Sequence, residues 1–224
     1  MHLNRGPGPA PCCLYEESIA ARHEFSGVRH NRMADIPSHH YIYGTCSDYI
    51  TGETIVDTDD ERCRQELARF LVEEKGYEKS DLEPRLCIET LYNGQFVAST
   101  IDITVRLAGK RVIILRFAPG SLVTRERSAI AAARVLEPAY QVPLAVVTNC
   151  KDAEVLDTYT GKVVGQGLDA IPGRKEAEDM IKALRFEPFD DRTRIDREKR
   201  ILNAYDIEVC CVGGPCALPG APEG

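Results

Sequence analysis

Between Asp102 and Glu126 the chain carries no acidic residue, and that gap lies in its most ordered-looking segment. Ser99-Thr100-Ile101-Asp102-Ile103-Thr104-Val105 alternates apolar and polar residues, as a half-buried strand does. Gly109 turns the chain into Val112 to Phe117, which is apolar on both faces and therefore suits a central strand. A tightly connected pair of this kind commits the domain to a sheet. Asp102 is then a lone carboxylate on an otherwise apolar framework.

The flanking pattern extends the sheet. Arg85 to Leu91 reads as a preceding strand and Asn93-Gly94 as its turn, with Phe96 to Leu107 as the next strand. Before them, Thr58 and Glu61 have the spacing of a helix capping box. The helix they open runs to about Lys75, stops at Gly76, and places Cys63, Leu67, Phe70, Leu71 and Glu74 on one side. After Pro119-Gly120, Ser121 is the expected N-cap of a helix through about Leu136, with Ile130, Ala133 and Val135 or Leu136 inward. Pro143 to Val147 reads as a buried strand, and Ala153–Leu156 with Lys162–Val164 as a hairpin around Thr160-Gly161. Helices are expected over 175–185 and 193–205. The result is an α/β class domain, a mixed sheet flanked by helices with an αβββαβ core and extra C-terminal helices.

This order divides the chain. Residues 1–32 are rich in Gly, Pro and Arg without a hydrophobic period. They read as a disordered or wrongly assigned extension, with Met33 a candidate start. Residues 33–57 form an arm, and Tyr41, Tyr43, Tyr49, Ile50, Ile55 and Val56 alternate within it. The main domain spans 58–170 and the C-terminal helices 171–207. A Cys/Gly/Pro-rich tail follows at 208–224.

Composition limits the function. No apolar run approaches the ~20 residues of a membrane span. The formal net charge of −7 gives no bulk attraction to nucleic acid, so DNA contact requires a local basic surface. The acid-free hairpin offers one in Arg106, Lys110, Arg111, Arg116 and Arg125. The nine cysteines follow no secretory leader and read as reduced thiols of a cytoplasmic protein, Cys63 and Cys87 among them in the core.

Metal-dependent restriction-type nucleases hold Mg²⁺ with two carboxylates on adjacent strands. The metal lowers the pKa of an attacking water, and a lysine two residues after the second carboxylate steadies developing charge. From about Glu61 to Asp157 the chain resembles the N-terminal domain of type I restriction enzyme R subunits, in the PD-(D/E)XK nuclease superfamily. The resemblance rests on the run Glu61-Arg62-Cys63-Arg64-Gln65-Glu66-Leu67-Ala68-Arg69-Phe70-Leu71-Val72-Glu73-Glu74-Lys75-Gly76-Tyr77. It continues through Ile101-Asp102-Ile103, Ala118-Pro119-Gly120 and Val146-Val147-Thr148-Asn149. It implies a restriction-endonuclease-like fold with Asp102 as first metal ligand. It also implies a strand end of the form Glu-x-Lys-Ala-Pro. Anchored on Ala118-Pro119, the glutamate falls on Leu115 and the lysine on Phe117. Arg116 cannot substitute, because alternation turns it to the other face. The resemblance also marks Glu61 or Glu66 as a supporting helix glutamate. Tyr140 would correspond to a tyrosine after the following helix, with Leu136 in place of that motif's glutamine.

The reading that follows is a catalytically inactive relative with Asp102 as remnant and no cofactor, associating with DNA or a protein partner. Two rivals are open. One is an active Mg²⁺-dependent endonuclease in which Glu89 or Glu126 joins Asp102 as metal ligand. The other is a metal or redox protein built on Cys210, Cys211 and Cys216. Thr160-Gly161-Lys162 lacks the upstream glycines of a phosphate loop, and His39-His40 stands apart from any partner in sequence.

Overall fold

The computed structural model describes residues 42–189 and 191–206. The extension at 1–32, Met33, His39-His40, Tyr41 and the tail cysteines Cys210, Cys211 and Cys216 lie outside them. Strands β1 (Ile42–Ser47) and β2 (Thr54–Thr58) pair antiparallel as a separate hairpin, which is the expected arm. It leads directly into helix α1 (Asp59–Glu73). Thr58 caps that helix, its hydroxyl accepting from the Glu61 amide at 3.1 Å. The helix ends two residues before the expected Lys75. The amides of Glu74 and Lys75 both return to the Phe70 carbonyl, and Gly76 adopts φ +75°. Its buried stripe contains Glu61, Gln65, Leu67, Ala68 and Leu71, while Glu74 is exposed.

Three strands follow, β3 (Leu82–Tyr92), β4 (Gln95–Leu107) and β5 (Lys110–Phe117). Helix α2 (Val123–Val135) then crosses to β6 (Leu144–Thr148), parallel to β5. The αβββαβ core is therefore present. Strands β7 (Ala153–Asp157) and β8 (Lys162–Gln166) complete a six-stranded sheet in the order β3-β4-β5-β6-β7-β8. Pro84 is tolerated because β3 is an edge. Ser121 does not cap α2: Leu122 is the N-cap residue, without a side-chain bond, and the Ser121 carbonyl takes the Thr124 hydroxyl at 2.8 Å. Helices α3 (Arg174–Ile181) and α4 (Arg192–Asp206) are the C-terminal pair.

Each face of the sheet has its own core. Leu67, Leu71 and Tyr77 pack with Ile103, Val105, Ile113, Leu115, Val146 and Ala177 on the α1–α3 side. Ile101, Ile114, Val147 and Leu156 pack with Ala129 to Ala133 and Leu202 on the α2–α4 side. Period-two alternation would place Ile101 and Ile103 together. They lie in opposite cores instead, so the β3–β4 ribbon changes face at Asp102. Opposite that step Arg85 has φ +54°, between the pairs Pro84↔Ile103 and Leu86↔Ile101. A left-handed backbone at a non-glycine residue is uncommon, and here it accompanies the reversal of the ribbon.

Among the described residues, Cys46, Cys63 and Cys150 are free thiols. No helix of the described residues is long and apolar enough to cross a membrane.

Candidate functional site

Asp102 sits at the end of the β4–β5 pairing and is 7% exposed. Its Oδ1 accepts from Arg64 Nε at 3.0 Å and Nη2 at 2.7 Å. Its Oδ2 accepts from the Phe117 amide at 2.7 Å. The last bond ties the carboxylate to the end of β5, where β4 has already turned away. Arg116 is not among its partners. Arg116 instead reaches Ser128 and Asp206 on the opposite layer, in line with its expected face.

Arg64 also donates through Nη1 to Glu61, one helical turn earlier on α1. Glu61 is 6% exposed and accepts from Gln65 Nε2 at 2.7 Å through its other oxygen. The capping-box spacing thus supplies the Thr58 cap, while the Glu61 carboxylate turns inward to the sheet. Asp48, in the β1–β2 turn and 2% exposed, extends the network. It accepts from the Ile50 and Thr51 amides at 2.8 and 2.7 Å, from Gln65 at 3.2 Å and from Arg85. Arg85 also lies 3.5 Å from Glu61. Three buried carboxylates and two partly buried guanidiniums form one continuous set.

The electrostatics match this layout. Burial works against the charged form of Asp48, but the Thr51 amide, Arg85 and Gln65 outweigh it and hold its pKa below the ordinary value. Burial likewise opposes the charge on Arg64. Asp102 and Glu61 overcome it and raise its pKa further.

The other expected site residues do not converge on Asp102. Glu89 is exposed on β3 opposite Ala98, four residues or ~13 Å along the strand from Arg85. Glu126 stands on α2 beside Glu154 of β7, in the other layer. Leu115 is fully buried among the α1-side apolar residues, and Phe117 is half-buried. Tyr140 donates nothing to the site. Its hydroxyl accepts the Arg111 amide at 2.9 Å, at the opposite end of β5 from Phe117.

The hairpin's cations are mostly engaged by acids from elsewhere in the chain. Arg111 is 9% exposed and bonds Glu83 and Glu137, both at 2.6 Å. Arg106 is half-exposed, 3.8 Å from Glu83. Lys110 lies 4.1 Å over the Phe186 ring, and Arg125 reaches the Tyr205 carbonyl at 3.5 Å. A gap in sequence acidity does not make a free basic surface once remote strands and helices return.

Arg64, Gln65, Arg85 and Asp48 had no assigned role in the sequence. A usable signal existed for Arg64. It shares a helix face with Leu67, Ala68 and Leu71, an arginine on a buried stripe that demands a buried anion. Asp48 and Arg85 gave no local sign, because their partners lie 37 positions apart.

A Mg²⁺ centre does not fit these residues. Magnesium requires near-octahedral oxygen ligands at about 2.1 Å. Among the described residues no three acidic, His or Cys side chains converge to hold an ion. Both Asp102 oxygens are engaged, and its nearest cation is a guanidinium. No curated protein and no solved structure matches the chain. Residues 59–172, just over half of the chain, match the family described as type I restriction enzyme R protein N terminus. The match begins with α1 and ends just before α3, so it covers the sheet from β3 to β8 and the Glu61–Arg64–Asp102 cluster, and the chain belongs to that family.

Proposed function

We propose that this domain is a PD-(D/E)XK-type nuclease fold that has lost cleavage and serves as an association module for nucleic acid or a protein partner. One observation carries the reading. The positions that the family resemblance assigns to a glutamate ligand and a lysine hold Leu115 and Phe117, and Leu115 is an integral core residue at 0% exposure. A carboxylate there would be driven into the α1 packing without a partner. Glu89 and Glu126, the candidate replacement ligands, point to other parts of the molecule.

The test is cleavage of plasmid and linear duplex DNA with Mg²⁺ or Mn²⁺ by wild type and Asp102→Ala. Both proteins should leave the DNA intact. Metal-dependent cleavage that Asp102→Ala abolishes would overturn the reading and restore the active endonuclease. DNA association, if it uses the half-exposed Arg106 with Lys110 and Arg125, should weaken steeply with salt by counterion release. Affinity independent of ionic strength would leave a protein partner as the ligand class.

A further inference from the structure

We propose that the Arg64 guanidinium is the resident cation of this pocket and occupies the electrostatic position a divalent ion would otherwise fill between Asp102 and Glu61. The proposal rests on reading Asp102 as the counterpart of a nuclease metal ligand. It goes further in stating what now neutralises that ligand and what would follow from its removal.

Asp48, Glu61 and Asp102 are 2%, 6% and 7% exposed, too buried to be neutralised by solvent alone. Buried carboxylates require a cation or several hydrogen bonds. Asp48 has both, two backbone amides and Arg85. Asp102 has one amide, from Phe117, and Glu61 has one side-chain amide, from Gln65. The short ion pairs to both members come from Arg64, with Arg85 a more distant cation 3.5 Å from Glu61. The Arg64 Nε and Nη2 face Asp102 while Nη1 faces Glu61, so one planar group bridges two carboxylates. A lysine ammonium could not span them in this way, because only the guanidinium presents donors along two edges.

Tethering explains why a free ion is excluded. Arg64 lies in the second turn of a helix anchored by the Thr58 cap, so its charge is delivered to Asp102 intramolecularly. A solution ion would have to displace it. With Arg64 present the network of three acids and two arginines has a formal charge of −1. Without it the charge is −2, concentrated on the face shared by Asp102 and Glu61.

The experiment uses the full chain, with Mn²⁺ alone as probe. Binding is followed by loss of the free-ion electron spin resonance signal, together with thermal midpoints in EDTA and in millimolar Mn²⁺. Wild type should neither bind Mn²⁺ nor shift. Arg64→Gln should gain Mn²⁺ affinity by more than about tenfold, since one unit charge beside the site has been removed. Its lowered midpoint should partly recover with the ion, and Arg64→Gln/Asp102→Asn should lose both effects. A folded Arg64→Gln that gains no affinity overturns the proposal, as does a gain that survives Asp102→Asn. If Arg64→Gln does not fold, the wild type decides. Mn²⁺ binding that Asp102→Asn abolishes would show that Arg64 does not hold the position against metal. Its absence, alongside a folded Arg64→Lys that also binds none, supports it. The cleavage assays judge the loss of nuclease function, and these measurements judge only what replaces the ion.

Discussion

Glu154 shows how a single buried side chain can cost stability. It is 8% exposed, and one of its carboxylate oxygens has no hydrogen-bond partner. Burial, and then the neighbouring Glu126, raise its pKa above the usual glutamate value of 4.5. A carboxyl whose folded pKa is raised contributes fully below the unfolded value and loses that contribution as pH rises through the folded one. Glu154→Gln should therefore stabilise the protein at neutral pH by on the order of 1 kcal/mol, with little gain near pH 4. Denaturant titrations of both proteins at the two pH values measure this. An unchanged or lower midpoint at neutral pH would count against a strained Glu126–Glu154 pair. Asp48 is the opposite case, a buried carboxylate with all its partners. Asp48→Ala leaves Arg85 without its closest anion and two turn amides without an acceptor. The expected loss is about 3–5 kcal/mol in equilibrium unfolding.

Among elements, the two tight turns of the meander permit a direct comparison. Asn93-Gly94 joins β3 to β4 with φ of +49° and +76°, and Ala108-Gly109 joins β4 to β5 with φ of +49° and +78°. The backbones are alike, but alanine is a poor occupant of the left-handed region, whereas asparagine tolerates it. Ala108 is exposed, so no packing is lost by changing it. Ala108→Asn should raise stability by about 1 kcal/mol, or roughly 2–4 °C in midpoint for a domain of this size. A calorimetric scan that shows no increase would place the strain elsewhere. The elements themselves were largely legible from the chain. Alternation, the Thr58 cap, Asn93-Gly94 and the apolar Val112–Phe117 run each mark local structure with residues adjacent in sequence. The failures have local causes as well. Ser121 resembles a cap, yet the helix begins after Leu122, and the ribbon's change of face at Arg85 has no signature in residue type.

At the scale of the whole molecule, acid stability should depend on the joined network more than on the count of surface charges. The lowered pKa of Asp48 means that its contribution is complete above the unfolded aspartate value of 3.8 and is lost as pH falls below it. Wild type should lose stability steeply between about pH 4 and 2, and Asp48→Asn should begin lower and decline less over that range. Circular dichroism during acid titration gives both curves, and parallel curves would remove Asp48 as a cause. The same network reunites the β1–β2 hairpin, α1 and the β3–β4 ribbon. Its members are scattered from Asp48 to Asp102, which is why only Asp102 and Glu61 were recognisable as site residues beforehand.

Local pattern alone determined the order of strands and helices, the family resemblance, and the absence of a carboxylate and a lysine at Leu115 and Phe117, because these depend on residue type and near-neighbour spacing. Tertiary structure decided that Asp102 is paired and that the hairpin's arginines are mostly neutralised. It also decided that Arg64 bridges two acids. Charge interactions act through space, over a few ångströms, between groups up to several dozen residues apart, and only the folded chain specifies which of them meet.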